Sequence, residues 1–271
     1  MTDAGELIER AALADLYDAA PLAAVAGLRL ASFEARGAWV GLAGALPASA
    51  IVVNRVIGIG VREPARQSDV EMIARAYAQK GIARYFVHRH PEAGPANLDD
   101  WFVLQGWEKA RGWMKFERGT DTPAPDATTD LAIREIGPEH GEDFARIACD
   151  AFDLGEKSVP WLAALPGRKR WRIFMTFDGD EPAGTGALFV QRGIAWTDWG
   201  ATAPEFRRRG GQRALLARRV AAAIDMGCTQ IFTCTGEEVP GDPQHSYANI
   251  LRCGFRETYV RANWAPPRPR S

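Results

Sequence analysis

A dominant charge, paired cysteines, a long apolar run and a basic leader are all missing from this sequence. Each absence removes a class of function. The 271 residues carry 33 Lys and Arg against 34 Asp and Glu, a formal net charge of −1. No global field therefore draws the chain to nucleic acid or to a membrane surface. The four cysteines, Cys149, Cys228, Cys234 and Cys253, show no CxxC spacing, which argues against a zinc site. They lie in apolar or helical contexts and read as buried thiols of a reducing compartment. No apolar stretch approaches the roughly 18 residues needed to cross a bilayer. The first residues, Met-Thr-Asp-Ala-Gly-Glu, are acidic where a signal peptide would be basic. A cytoplasmic protein with no nucleic-acid and no membrane partner is expected.

What is present is an alternation of strand and helix patterns. Glu6–Ala20 reads as a helix. Leu28–Phe33, Ala38–Leu42 and Ile51–Val61 read as strands. Ser68-Asp69 offers a cap to a helix through Tyr77, ended by Gly81, before a strand at Ala83–Val87. His88 and His90 beside Pro91 read as turn histidines, and Trp113–Phe116 as a strand. Residues 118–130 hold two prolines and small polar residues without periodicity, the signature of a linker. Beyond it come a strand at Leu131–Ile136, a helix from Pro138, strands at Trp171–Phe177, Gly184–Gln191 and Gly193–Thr202, and a helix through Leu216, Val220, Ala223 and Ile224. Gln230–Cys234, a short helix from Ser246 and a last strand through Tyr259–Asn263 close the chain. The pattern predicts a mixed α/β sheet.

The two halves echo each other. Gly106-Trp107-Glu108 ends a helix before a strand, and Gly254-Phe255-Arg256 does so about 148 positions later. Tyr77–Gly81 is matched by Ala223–Gly227 about 146 positions on. Any two α/β segments can share such punctuation, but two matches at nearly one offset favour a tandem duplication.

The second half holds the stretch that carries chemistry. Thr202-Ala-Pro-Glu-Phe-Arg-Arg-Arg-Gly-Gly-Gln-Arg213 joins a strand to a helix. Adjacent glycines let backbone N–H groups approach a ligand, the helix N-terminus adds partial positive charge, and arginines add full charges. A pyrophosphate suits all three. A Walker loop is excluded because Gln212-Arg213 stands where Lys-Ser or Lys-Thr belongs, and a dinucleotide fingerprint needs three spaced glycines. The matching segment of the first half, Arg62–Asp69, contains no glycine.

Arg207-Arg208-Arg209-Gly210-Gly211-Gln212 resembles the coenzyme A pyrophosphate loop of the GNAT acyltransferase superfamily, written Arg/Gln-x-x-Gly-x-Gly/Ala. It departs at the sixth position, where Gln212 replaces a small residue. Ser246 to Phe255 is similar to the superfamily's Ser-x7-Gly-Phe ending. The resemblance implies two tandem GNAT-like domains, each a mixed, mostly antiparallel sheet flanked by helices. Residues 1–117 would be a degenerate domain, 118–130 the linker and 131–271 the acetyl-CoA-binding domain. It implies an N-acetyltransferase that moves an acetyl group from acetyl-CoA directly to an amine acceptor. The implied cofactor contacts are Ala201, Thr202, Arg207, Arg208, Arg209, Gly210, Gly211, Gln212 and Arg213, with Gly200 beside them and Ser246 and Asn249 from the short helix.

Many superfamily members carry a proton-donating tyrosine four residues before the Gly-Phe glycine, and Ile250 stands there instead. Tyr247 is the nearest replacement as acid, and packing under the last strand is its other role. For the base, the acidic loop offers Glu237, Glu238 and Asp242. Glu237 is favoured at the strand end, His245 is second, and Asp198 between Trp196 and Trp199 is a further candidate because burial among aromatics raises a carboxyl pKa. The rival reading is a non-catalytic acyl-CoA-binding module that has lost its acid.

Overall fold

In the structure, a computed structural model describing residues 4–241 and 245–268, a single eleven-stranded sheet runs through both halves. Helices α1 (Ala4–Asp18) and α2 (Leu22–Leu28) precede strands β1 (Leu30–Ala35), β2 (Ala38–Ala43) and β3 (Arg55–Ile57). Then come α3 (Gln67–Gln79), β4 (Phe86–Arg89), α4 (Leu98–Leu104) and the long β5 (Glu108–Gly119). The second half runs β6 (Ala132–Ile136), α5 (Gly141–Ala151), α6 (Val159–Leu162), β7 (Trp171–Asp178), β8 (Glu181–Gln191) and β9 (Ile194–Thr202). It ends with α7 (Gly211–Asp225), β10 (Gln230–Gly236), α8 (His245–Arg252) and β11 (Arg256–Ala265).

The sheet order is β1-β2-β3-β4-β11-β5-β10-β9-β8-β7-β6. Apart from β6 it is a palindrome. Antiparallel β1-β2-β3, a parallel step to β4 and an antiparallel step to β11 are repeated by β7-β8-β9, a parallel step to β10 and an antiparallel step to β5. A pseudo-twofold axis therefore passes between β5 and β11, which pair antiparallel at the centre. The last strand of each half has crossed into the other: β5 lies against β10, and β11 lies against β4.

Alternation along the strands divides the core by face. Trp39, Ile173 and Trp196 point to one side, where α1, α2, α5 and α6 from both halves share one cluster. Val40, Val56 and Val87 point to the other, under α3 and α4. Phe174, Leu188 and Ile231 do the same under α7 and α8. Tyr17 links the halves across the shared face, edge-on to Trp39 at 5.1 Å and to Trp161 at 5.0 Å.

A buried ion cluster sits where the exchanged strands meet α1. Glu9, fully buried, accepts hydrogen bonds from Arg261 (2.6 and 2.9 Å), Lys115 (2.6 Å) and Arg55 (2.7 Å). Glu6 adds a second carboxylate, 2.8 Å from Arg261. Burial alone would raise the Glu9 carboxyl, but Arg261, Lys115 and Arg55 together hold it well below the usual range.

Several local expectations shift. The apolar run Ile51–Val61 yields only three strand residues, because the N–H groups of Val53 and Asn54 bond back to the Ala50 carbonyl in a turn and Gly58 and Gly60 turn the chain again with positive φ. A Cβ on Gly60 would meet the Gly94 carbonyl at 2.3 Å. Asp69 is not the cap residue of α3 but its third residue, and its carboxylate accepts the Arg66 N–H. His88 is no turn histidine: it is a buried residue of β4, hydrogen-bonded to Asn263 at 2.6 Å. Burial, with Arg261 and Arg55 nearby, pushes its pKa well down, so it stays neutral. His90 is buried too, but it does begin a turn, its carbonyl accepting the Ala93 N–H at 3.0 Å.

Two expectations follow. Cut within residues 120–130, the fragments should be insoluble alone yet copurify when coexpressed, because each supplies the other's central strand. Two soluble monomers would contradict the exchange. Glu9→Gln should lose about 3–5 kcal/mol at pH 7 by leaving buried cations unpaired. Because the folded pKa is depressed, the Glu9 contribution is full above the unfolded pKa of about 4.3 and fades as pH falls below it. The difference between wild type and variant in urea titrations should narrow over that acidic range.

Candidate active site

Strands β9 and β10 run parallel and pair over Ile194–Trp196 and Gln230–Phe232. Thr233 Oγ1 then donates to the Thr197 carbonyl at 3.1 Å, and beyond that tie the strands diverge. The gap opens on a cavity of about 240 Å³ lined by Thr197–Gly200 of β9, Thr233–Gly236 of β10 and residues of α7 and α8.

A bulge shapes the β9 wall. Ala187 pairs with Asp198 and Thr185 with Ala201, so Trp199 and Gly200 oppose the single residue Gly186. Trp199 takes a left-handed φ of 49°. Arg219 of α7 holds the bulge from behind: its guanidinium donates to the carbonyls of Asp198 (3.0 Å) and Ala187 (3.3 Å). A Cβ on Gly186 would strike that guanidinium at 2.7 Å. Burial, against the raising influence of Asp198, lowers the Arg219 pKa to about 10, which still leaves it charged at neutral pH.

The basic loop lies at the α7 end of the gap. Gly210 adopts a left-handed φ of 79° as the residue before α7, and among the described residues no side chain caps that helix N-terminus. The first turn of α7 carries no acidic residue, whereas the corresponding turn of α3 carries Asp69. An uncapped N-terminus with arginines around it suits an anion, so the residues present fit a pyrophosphate. The start of α3 differs, since the Asp69 carboxylate accepts the Arg66 N–H there. Near the other end of α3, Tyr77 stacks on Tyr85 at 3.6 Å, with Trp107 edge-on to Tyr85 at 5.7 Å.

The expected cofactor residues divide. Ala201 and Thr202 end β9, and Gly200, Gln212, Ser246 and Asn249 line the cavity. Gln212, the departure from the superfamily spelling, bonds to both α8 residues: Nε2 to Ser246 Oγ at 3.1 Å, and Oε1 from Asn249 Nδ2 at 2.9 Å. It clamps loop to helix. Arg207 and Arg208 are exposed, and Arg213 is half-buried. Arg209 is instead a tether, bonded to Asp130 (2.5 Å) and Asp178 (2.6 Å). Gly210 is pinned by the linker, since a Cβ there would meet the Thr128 carbonyl at 2.6 Å. Gly211 is buried, and its Cβ position faces Leu131 and Thr176.

The expected acid and base are not in the cavity wall. The Glu237 carboxylate accepts the Gly112 N–H at 2.7 Å, fastening the end of β10 to β5. The Tyr247 hydroxyl donates to Glu257, and its ring lies edge-on to Phe116 at 4.9 Å. His245 is exposed at the start of α8, Glu238 is exposed, and Asp242 lies outside the described residues. Ile250 does line the cavity. So does Asp198, whose carboxylate accepts Trp196 Nε1 at 3.0 Å and the Trp199 N–H at 2.8 Å. Desolvation raises its pKa, partly offset by Arg55. Cys234 also faces the cavity, but burial pushes its thiol up to about 12, so it carries no thiolate at neutral pH.

Several cavity residues escaped the sequence reading, among them Val52, Arg55, Trp113, Phe152, Thr197 and Thr233. Arg219 escaped as well, because its neighbour Arg218 is spelled alike and only one of the two is buried. Arg55 did give a signal, as a charge inside the apolar run Ile51–Val61.

No protein-family model matches the sequence, and no curated protein does. The fold, however, has solved counterparts. A GCN5-related N-acetyltransferase from Kribbella flavida superposes with a TM-score of 0.66 at 17% identity, covering 99% of this chain and 98% of that one. One from Sphaerobacter thermophilus gives 0.60 at 13%, covering 84% and 76%. A tandem GNAT protein from the clavulanic acid biosynthesis pathway gives 0.54 at 15%, covering 98% and 95%. In fold, this chain is a tandem GNAT-like protein.

Proposed function

We propose that the chain is an acetyl-CoA-dependent N-acetyltransferase whose second half binds the donor and transfers its acetyl group directly to an amine. One observation carries this reading: the parallel strands β9 and β10 separate into a cavity lined by Gln212 in the first turn of α7, a helix whose N-terminus has no side-chain cap among the described residues and follows three arginines. The pyrophosphate would meet the backbone N–H groups of Gly211–Arg213 with Arg207, Arg208 and Arg213. The pantetheine arm would lie along β9 at Gly200–Thr202, whose edge toward β10 is unpaired there. Acetyl-CoA supplies an activated thioester. Among the described residues Asp198 is the ionisable acid of the cavity wall placed to take the proton of an attacking amine. With Ile250 in the wall and Tyr247 turned to Glu257, α8 offers no tyrosine to the leaving sulfur. A thiolate leaves tolerably without one.

The same missing acid supports the second reading, a binding module without turnover. An amine panel with acetyl-CoA separates the two.

Arg208→Ala and Arg213→Ala should each weaken acetyl-CoA binding about tenfold in calorimetry, the effect of a lost charged hydrogen bond. Gly211→Glu is the poorer test, because the space beside Gly211 is filled by Leu131 and Thr176. Undiminished affinity in both arginine variants would remove the loop from the donor site.

Asp198→Asn should lower kcat/KM by about 10²–10⁴-fold, with acetyl-CoA affinity retained. Tyr247→Phe should leave turnover nearly intact. In the wild type, kcat/KM should fall as pH drops through the raised Asp198 pKa, since the base works only when ionised. That acidic limb should vanish in Asp198→Asn. A limb that persists would place the base elsewhere.

A further inference from the structure

The end of the cavity away from the basic loop is built partly by the first half of the chain. Val52 and Arg55 flank or belong to β3, and Trp113 comes from the exchanged strand β5, opposite Gly236 of β10. Arg55 is buried, 4% exposed, and lies 5.3 Å from the centroid of the Trp113 ring. One of its nitrogens bonds Glu9. Its Nε is buried and has no hydrogen-bond partner among the described residues.

Among the described residues two others of the wall carry unpartnered buried polar atoms: Trp199 Nε1, and Thr197 Oγ1 on the opposite face of the sheet, since Thr197 follows Trp196 in β9. An unmade bond to a buried donor is costly, so such atoms in a native cavity point to a ligand that completes them. Arg55 Nε and Trp199 Nε1 can only donate. The group that satisfies donors of this kind is rich in acceptors, and beside a guanidinium it is an anion.

The charges agree. Arg55, Lys115 and Arg261 face Glu6 and Glu9 in the buried cluster, three cations against two carboxylates. Asp198 supplies the third negative charge when ionised, and Arg55 is near enough to lower its pKa. His88 is neutral. Arg219, which also lines the cavity and stays charged, makes four cations against three carboxylates, so the cavity keeps a positive charge for a carboxylate beside Arg55 while Asp198 offers the counter-charge for an ammonium. Trp113, Trp196 and Phe152 leave apolar wall for a side chain.

We propose that the acceptor is a small amino carboxylate, whose carboxylate is held by Arg55 from the first half while its amine faces Asp198. The proposal rests on the acetyl-transfer reading for the role of the amine, but the carboxylate site stands on the cavity itself. It gives the half without a donor loop a function: it supplies the acceptor wall.

Binding tests this without turnover. Trp113, Trp196 and Trp199 line the cavity, so tryptophan fluorescence should report occupancy. Phenylalanine and leucine, titrated with coenzyme A present, should bind about tenfold or more tightly than phenylalaninamide and leucinamide. Arg55→Met should abolish that preference and leave acetyl-CoA affinity unchanged. It leaves two cations against Glu6 and Glu9, so the fold should survive, and the wild-type comparison holds without it. Amides that bind as tightly as the amino acids, or no binding by any of the four probes, would overturn the proposal. So would an Arg55-dependent preference for succinyl-CoA over acetyl-CoA, which would assign the carboxylate to the acyl chain. Arg55-dependent binding of amino acids without acetyl transfer would refute the enzyme reading alone and uphold the carboxylate site.

Discussion

The carboxylate of Glu9 is the point on which the rest of the molecule depends. From the first helix it reaches Arg55 on β3, Lys115 on β5 and Arg261 on β11, so one buried side chain gathers both exchanged strands and a strand of the first half. Such a cluster is poor evidence for net stability, since desolvation offsets much of its Coulomb gain. Its effect is on specificity. Removing one partner leaves buried charge uncompensated, which penalises any arrangement in which β5 and β11 return to their own halves.

The exchange in turn decides what the cavity is made of. Had β5 stayed beside β4, Trp113 would not stand opposite Gly236 at the open end of the β9–β10 gap. The first half has placed Asp69 in the first turn of α3, where its carboxylate accepts the Arg66 N–H. It has kept the fold and its place on the pseudo-twofold axis. The two halves are thus alike in topology and unlike in chemistry, one carrying the phosphate-suited helix end and the other carrying Arg55.

The loop around Gly210 shows how far a motif can be read by charge alone. Three consecutive arginines look equivalent in one dimension. In three dimensions Arg209 spends its charge on Asp130 and Asp178, fixing the linker and the β7–β8 turn against the loop, while Arg207 and Arg208 face solvent. Gln212, the departure from the superfamily spelling, closes the loop onto α8 through Ser246 and Asn249.

The sequence by itself determined the fold class, the repeat and the anion-suited helix start. Those depend on local patterns: glycines needing positive φ, helix and strand periodicity, and punctuation recurring at one offset. It also placed Asp198 among tryptophans, because Trp196 and Trp199 are neighbours in the chain. Only the tertiary structure decided the exchange of β5 and β11, the burial of His88, and the engagement of Glu237 with Gly112 and of Tyr247 with Glu257. Each is a contact between residues far apart or on different strands, and a carboxylate that fastens two strands is spelled like one that serves as a base. Arg55 belongs to the same class. Its charge was visible inside an apolar run, but what it faces was set by the crossing of one strand into the other half.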